Sequence, residues 1–134
     1  MRWMLDTDTC IALIRHRHEK ALRRLQSKSV GQVGISSITL SELAYGIARS
    51  SKPRENRQAL EMFILALDVS AFDSDAANEA GGLRAQLATA GTPIGPMDTL
   101  IAGHAKSMDA ILVTHNAKEF RRVDKLRTED WLAP

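Results

Sequence analysis

The chain has 134 residues, of which 44% are hydrophobic, and a formal net charge of +2. This length and composition suffice for one hydrophobic core but hardly for two, so we expect a single domain over residues 1–134. The single cysteine excludes an internal disulfide, and the longest apolar run, residues 62–67, is far too short to span a bilayer. Acidic residues precede any apolar stretch of signal-peptide length, so we expect a cytoplasmic protein.

Strand-like and helix-like segments alternate along most of the chain. RWML predicts a strand, and DTDT then supplies caps for a helix that buries Cys10, Leu13 and Ile14. The elements expected next are a basic helix at 18–27, a strand at VGIS, a helix from Thr39 to Arg49, a helix opened by Pro53, a strand at DVSAF, a helix from Ser74 that stops near Gly91, a helix opened by Pro96 and a strand at AILVT. This alternation predicts an α/β fold with a central parallel sheet flanked by helices.

Four polar side chains that could bind a cation stand where these segments begin or end. Asp6 and Asn116 close strand-like runs, whereas Glu42 and Asp98 fall in the first turns of helix-like ones. Because the carboxyl ends of parallel strands meet at one edge of a sheet, folding could bring all four together. Oxygen ligands of this kind suit hard cations. The pattern therefore predicts an acidic metal site.

Each of the four residues also has a purely structural explanation. Asp6 could cap the helix that follows, and Glu42 stands three residues after Thr39, which is the spacing of a capping box. Asp98 could complement a helix dipole, and Asn116 could be an ordinary turn residue. These structural explanations do not predict that all four side chains lie at the same edge of the sheet.

The basic residues are unevenly distributed. Of the 18 Lys and Arg residues, 15 fall in segments 15–28, 49–57 and 118–127. Such segments suit phosphate backbones, although any one of them alone is more simply a helix face exposed to water. In the first segment we expect Arg23 and Arg24 to contact nucleic acid. Three basic segments beside an acidic cluster favour a nucleic-acid substrate.

The histidines point to less chemistry than the acids. His16 and His18 are two residues apart and so do not share a helix face, which argues against a metal-binding pair. His104 is expected to be packed or capping rather than a catalytic base. His115 adjoins the predicted site.

Four segments, in this order, resemble the PIN domain, specifically the VapC-type toxin ribonucleases of type II toxin-antitoxin systems. They are MLDTDTCIAL, ISSITLSELAYGI, LRAQLATAGTPIGPMDTLIAGHA and LVTHNAKEF. The resemblance extends from about Met4 to Trp131. It matches Asp6, Glu42 and Asp98 to the metal-binding acids of the family, and Asn116 to a position that is often Asp. It also places Thr7, Arg84 and Thr114 at the border of the active site.

The resemblance implies a divalent-metal-dependent endoribonuclease that hydrolyses RNA, with tRNA as the expected substrate. The implied catalytic residues are Asp6, Glu42, Asp98 and Asn116, and the first three of these would hold Mg²⁺ or Mn²⁺, whose bound water is the nucleophile. A cognate VapB-like antitoxin and homodimerisation are also implied.

Two other functions remain open at this point. LDTDT also matches the start of the haloacid-dehalogenase phosphatase signature, in which Asp6 would form an aspartyl phosphate and Asp8 would act as acid and base. That signature expects Thr or Val at Cys10 and a later Gly-Asp followed by another acid, and the chain has neither. A non-catalytic nucleic-acid-binding module built on the basic helix at 18–27 would leave the three acids without a role.

Overall fold

The computed structural model describes residues 1–134 and has a five-stranded sheet flanked by helices. The strand order is β3-β2-β1-β4-β5, and all neighbouring strands are parallel. The elements are β1 (Trp3–Leu5), α1 (Thr7–Ile14), α2 (Glu19–Gln26), β2 (Val33–Ser36), α3 (Ser37–Ala48), α4 (Pro53–Ile64), β3 (Asp68–Ser70), α5 (Ser74–Thr89), α6 (Pro96–Ser107), β4 (Ile111–Val113), α7 (Ala117–Phe120) and β5 (Thr128–Glu129). The predicted parallel α/β architecture is confirmed.

The hydrophobic core lies on both faces of the sheet. Successive strand residues point to opposite faces, and so Leu5 joins one buried cluster while Met4 joins the other. The first cluster packs under α1, α3 and α4, and it contains Cys10, which is fully buried as predicted. The second packs under α5 and α6. Both faces of the sheet are covered by helices, and α1, α3 and α7 begin where β1, β2 and β4 end, at the carboxyl edge of the sheet.

The start of α3 differs from its prediction. The helix begins at Ser37, and the Ser36 hydroxyl caps it by accepting from the Ile38 amide over 3.0 Å. The predicted capping box between Thr39 and Glu42 is wrong, because Thr39 lies inside the helix with a buried hydroxyl that has no hydrogen-bond partner. Glu42 therefore stands in the second turn and not the first, so its carboxylate is free for another role.

Helices α5 and α6 pack closely because a glycine lies between them. A Cβ atom on Gly103 would come within 2.5 Å of the Ala80 Cα, so no larger residue fits.

The helix α6 begins at Pro96, as predicted, since proline suits the first helical position. None of the helices combines the length and the hydrophobicity that a membrane span requires.

The sequence does not predict β5, which is only two residues long. Thr128 and Glu129 pair with Leu112 and Val113 of β4. A segment this short and polar carries no periodic signal, and pairing with the edge of a formed sheet is what makes it a strand. The predicted strands DVSAF and AILVT are also shorter in the structure, at Asp68–Ser70 and Ile111–Val113.

Candidate active site

Asp6 lies at the junction of the central strand β1 with α1. Its side chain caps α1 by accepting from the Thr9 amide over 2.9 Å, so the predicted helix cap is confirmed. The residue is 5% exposed. Burial raises the pKa of the Asp6 carboxyl, hydrogen bonds from Thr114 and Thr9 offset part of this rise, and the charge of Asp8 adds to it. Asp6 is therefore an acid held rigidly at the centre of the sheet edge.

Thr114 connects this acid to the loop after β4. Its side chain is fully buried, hydrogen-bonds Asp6, and accepts from the Asn116 amide N–H over 3.0 Å. The side chain of Asn116 makes no cap for α7 and instead donates to the Glu119 carboxylate. Asn116 thus orients a carboxylate rather than simply closing a turn.

Glu42 faces α1 from the second turn of α3. The Thr7 hydroxyl donates to its Oε1 over 2.5 Å, which fixes the carboxylate against the start of α1. Because Thr7 directly follows Asp6, this contact ties Glu42 to the same edge of the sheet.

Asp98 lies in the first turn of α6 and is the most perturbed acid of the group. Burial raises the pKa of its carboxyl to about 7, and the charges of four other carboxylates, Glu119, Asp6, Glu42 and Asp8, add to that rise. This effect requires all of these acids to lie within electrostatic reach of Asp98. These charge effects indicate that the three predicted acids lie near one another at the carboxyl ends of the strands.

Glu119 is a site residue that the sequence analysis missed. One of its oxygens accepts from the Gly95 amide over 3.1 Å, and the other accepts from Asn116. Among the neighbouring charges it is the one that raises the pKa of Asp98 most. It stands three residues after Asn116 in the short helix α7, where a single glutamate gives no periodic signal. The only signal in the sequence is that Glu119 lies within LVTHNAKEF, one of the four segments that resemble the PIN domain.

No cation balances these acids. The salt bridges of the molecule pair other residues, and none involves Asp6, Asp8, Glu42, Asp98 or Glu119. A cluster of carboxylates that is partly desolvated and has no Lys or Arg partner is unfavourable unless a cation enters it. His115, which adjoins the site in sequence, is instead bonded to Asp130 over 2.9 Å.

The donor set fits a hard divalent cation. All the candidate ligands are oxygens, and their excess negative charge is what such an ion would neutralise. No group of three or more His, Cys, Asp or Glu side chains converges closely enough to ligate one ion directly. Glu42 and Glu119 are each turned towards a hydrogen-bond donor, Thr7 and Gly95. Because Mg²⁺ usually retains several waters, carboxylates at this spread can still hold it.

Arg84 lines a cavity next to the start of α6. The cavity measures about 580 Å³ and lies between α5, α6 and the loop that enters α6. Its wall includes Pro96 and Thr99, which flank Asp98 in the first turn of α6. On the other side of the loop, Arg122 donates to the Pro93 carbonyl over 3.0 Å. Two basic side chains therefore lie beside the loop that leads into α6, the helix that carries Asp98.

Arg23 and Arg24, predicted to bind nucleic acid, differ from each other in the structure. Arg24 is engaged by Glu129 at 3.0 Å, and its guanidinium lies 5.8 Å from the ring centre of the buried Trp131. Arg23 is 70% exposed and approaches only Glu19, at 4.0 Å. Of the two, Arg23 is the one available to a ligand.

Comparison with known proteins agrees with this geometry. The PIN domain family matches residues 3–126. The tRNA(fMet)-specific endonuclease VapC of Shigella flexneri is 44% identical over 131 residues, with 98% of each chain covered. Ribonuclease VapC2 of Haemophilus influenzae is 38% identical over 98% of this chain and 99% of its own.

Solved structures agree with the sequence comparison. The chain superimposes with a TM-score of 0.94 and 44% identity on the crystal structure of DNA-bound VapBC from Salmonella typhimurium, with 98% of both chains covered. The structure of VapBC2 from Rickettsia felis bound to a fragment of its promoter DNA gives a TM-score of 0.90 and 35% identity, covering 98% of this chain and 99% of that one. These matches favour a nuclease over the phosphatase and over a non-catalytic binding module. The chain belongs to the PIN-domain family and, within it, to the VapC-type ribonucleases of toxin-antitoxin systems.

Proposed function

We propose that this chain hydrolyses phosphodiester bonds of RNA with Mg²⁺ or Mn²⁺, and that tRNA is its substrate. The observation that carries the proposal is the position of Asp98, a half-buried carboxylate among four others without a cationic partner. Such a group is suited to binding a divalent cation and poorly suited to stabilising the fold. The tRNA assignment is supported by the name of the 44% identical relative.

We assign Asp6, Asp98 and Glu42 to holding the metal. Asp6 is the most rigidly positioned of the three, because Thr9 and Thr114 bind it in the buried edge of the sheet. Asp98 contributes the carboxylate whose ionisation the cation favours most. Glu42 is orientated by Thr7, so it can hold the metal or accept a proton from a water.

Asn116 and Glu119 form the fourth side of the site. In place of the Asp that is frequent in the family, the chain has a neutral amide that holds a glutamate. We infer that Glu119 supplies the negative charge that an Asp at position 116 would otherwise supply. Asn116 then acts by orienting Glu119.

Mg²⁺ or Mn²⁺, when bound, would lower the pKa of a bound water and neutralise charge on the phosphate. No side chain in the site needs to form a covalent bond to the substrate, because water can act as the nucleophile. Hydrolysis in this way leaves a 5′-phosphate and a 3′-hydroxyl. Arg84 and the exposed Arg23 would attract the phosphate backbone of the RNA.

The biological setting follows from the relatives. The similar structures from Salmonella and Rickettsia are VapBC complexes, and we propose that this chain likewise binds a cognate VapB-like antitoxin and forms a homodimer. We also propose that it acts in the cytoplasm, where its RNA substrate would be. We also propose that residues 1–134 act as a single domain, which is supported by two core clusters that share one sheet.

The proposal is tested by incubating the purified protein with total RNA and Mg²⁺ or Mn²⁺, and sequencing the fragment ends. We expect cleavage in tRNA that requires the metal, with 5′-phosphate ends. Asp98→Asn, which changes charge but hardly volume, is the control for contaminating nucleases. Cleavage that persists equally in Asp98→Asn or in chelator would overturn the proposed site.

A further inference from the structure

His104 is a buried polar residue that the proposed chemistry does not use. It lies on α6 and is 1% exposed. Its Nδ1 is 2.7 Å from the Ser36 hydroxyl and its Nε2 is 3.2 Å from the Ser70 hydroxyl. The ring of Phe72 packs edge-on against it, with centroids 5.4 Å apart at 88°. One side chain therefore connects α6 to the end of β2 and the end of β3.

The hydrogen bonds around the ring select one protonation state. The Ser36 oxygen already accepts from the Ile38 amide, and the Ser70 hydroxyl donates to the Met108 sulfur. If the imidazole carries its proton on Nε2, Ser36 donates to Nδ1 and Nε2 donates to Ser70, so every hydrogen has an acceptor. A proton on Nδ1 would leave the Ser36 hydrogen without one. The neutral Nε2–H form is the only one that satisfies the whole network.

Ser36 and His104, which make the shorter of the two contacts of the ring, lie at the start of α3 and on α6, the helices that carry Glu42 and Asp98. Ser36 caps α3, which carries Glu42 six residues later, and His104 follows Asp98 on α6 by six residues. Six residues correspond to about 9 Å along a helix. The contact between Ser36 and His104 thus joins the two helices that present Glu42 and Asp98, at a distance from the reacting groups.

A different face of α6 is fixed by a separate contact. Gly103, next to His104, lets α6 pack against Ala80 of α5 with no room for a Cβ atom. The helix α6 is therefore held to α5 through Gly103, while the imidazole of His104 connects it to the start of α3. We propose that His104 is a positioning residue that, as a neutral imidazole protonated on Nε2, fixes the start of α3 against α6 and so sets where Glu42 stands relative to Asp98.

This inference rests on the proposed function, since positioning is defined by the cleavage it supports. The test replaces His104 in the full chain by Phe, which fills the space without hydrogen bonds, and by Gln, whose amide can accept from Ser36 and donate to Ser70. His16→Phe, at an exposed position, is the matched control. RNA cleavage, Mn²⁺ titration by calorimetry and thermal melting are measured for each variant.

We expect kcat to fall by about ten- to a hundredfold in His104→Phe, which is the range for losing an orienting partner of a site. KM should change little, because the substrate contacts are intact. His104→Gln should recover most of this loss, and His16→Phe should match the wild type. Mn²⁺ should bind more weakly to His104→Phe than to His104→Gln at a temperature where both are folded. In combination with Ser36→Ala, His104→Phe should cost little more than either change alone.

Three results would overturn the inference: wild-type kcat in folded His104→Phe, equal losses in the Phe and Gln variants, or wild-type Mn²⁺ affinity in His104→Phe. The Mn²⁺ titration separates this failure from failure of the proposed function. If the wild type cleaves no RNA, the function is wrong, while the order of Mn²⁺ affinities still decides whether His104 positions the acids.

Discussion

Glu129 and Asp98 are both partly buried carboxylates near the same edge of the sheet, and the protein treats them in opposite ways. Glu129 accepts hydrogen bonds from the indoles of Trp3 and Trp131 and from Arg24. Burial alone would raise the pKa of Glu129, but these hydrogen bonds and the charge of Arg24 outweigh burial and lower it. Asp98 is surrounded by four carboxylates, and its pKa rises to about 7.

The difference shows how the fold separates structure from function. Where a carboxylate stabilises the molecule, donors from β1, α2 and the segment after β5 converge on it. The Lys28 ammonium also lies 4.1 Å from the ring centre of Trp3. Asp98, which we propose binds a metal, has no Lys or Arg partner, and its carboxylate is repelled by four neighbouring carboxylates.

Neutralising Asp98 should remove activity and stabilise the metal-free protein. Asp98→Asn removes the group on which the repulsion of four neighbours acts, so its melting temperature in chelator should exceed that of the wild type. RNA cleavage should fall by at least about a hundredfold, since the metal site supplies several kcal/mol of transition-state stabilisation. Asp6→Asn should lose similar activity. A folded Asp98→Asn enzyme with wild-type kcat would show that the repulsion serves no catalytic purpose.

Glu119→Gln should weaken the site while keeping the contact to Gly95. The amide oxygen can still accept from Gly95, but the Asn116 amide loses its carboxylate acceptor, and the charge that acts most strongly on Asp98 is gone. We expect the pKa of Asp98 to fall towards its ordinary value, as followed by carboxyl NMR, and Mn²⁺ affinity to drop by about ten- to a hundredfold. Glu79→Gln, at an exposed position of α5, is the matched control. An unchanged pKa of Asp98 would remove Glu119 from the site.

Glu129→Gln should do the reverse of Asp98→Asn. It converts charged hydrogen bonds into weaker ones, and we expect a loss of about 1 to 3 kcal/mol in the free energy of unfolding, measured by denaturant titration. The activity of the folded enzyme should not change. Glu61→Gln, on the exposed face of α4, controls for the loss of surface charge. If Glu129→Gln folds normally yet fails to cleave RNA, the two carboxylates are not separated in the way described.

The pH dependence of stability should reveal the repulsion at Asp98. Its pKa is 3.8 in an unfolded chain and about 7 in the folded one, so between these values the folded state binds more protons. The free energy of unfolding of the metal-free protein should therefore fall as pH rises through this window, and the loss should be complete above pH 7. Asp98→Asn should lack this component. Burial lowers the pKa of His104 despite the charge of Asp73, and this works in the opposite direction.

The difference between the wild-type and Asp98→Asn curves of unfolding free energy against pH separates the contribution of Asp98 from that of His104. Saturating Mn²⁺ should raise the melting temperature of the wild type most above pH 7, where the carboxylate is ionised without the metal. A difference curve that is flat from pH 4 to pH 8 would contradict the raised pKa of Asp98.

The smallest effect is expected for the basic residues. Arg84→Ala should weaken RNA binding a fewfold and reduce the slope of log affinity against log salt by up to about one unit. Arg2→Ala is the control, because Arg2 is exposed, lies outside the three basic segments and precedes the amino end of β1, at the edge of the sheet opposite the site. Arg23→Ala should give a similar but smaller change. Arg24→Ala should instead lower stability, because its partner Glu129 is left partly buried.

The sequence alone determined the alternation of strands and helices, because hydrophobic periodicity and proline caps act locally. The starts of α4 and α6 at proline, the cap at Asp6 and the burial of Cys10 all follow from such signals. It also predicted that Asp6, Glu42 and Asp98 meet, because the carboxyl ends of parallel strands share an edge. The beginning of α3 was misplaced because Ser36 competes with Thr39 as a cap, and only packing decides between two hydroxyls.

Only the tertiary structure decided how each charge is used. The inclusion of Glu119, the diversion of Arg24 to Glu129 and the network around His104 all join residues far apart in sequence. No periodic pattern encodes such contacts, because each depends on distances between elements that exist only after the sheet has formed. The pKa of a carboxyl depends on those distances and on burial. The opposite pKa shifts of Asp98 and Glu129 are therefore a property of the fold, which the sequence pattern around either residue does not indicate.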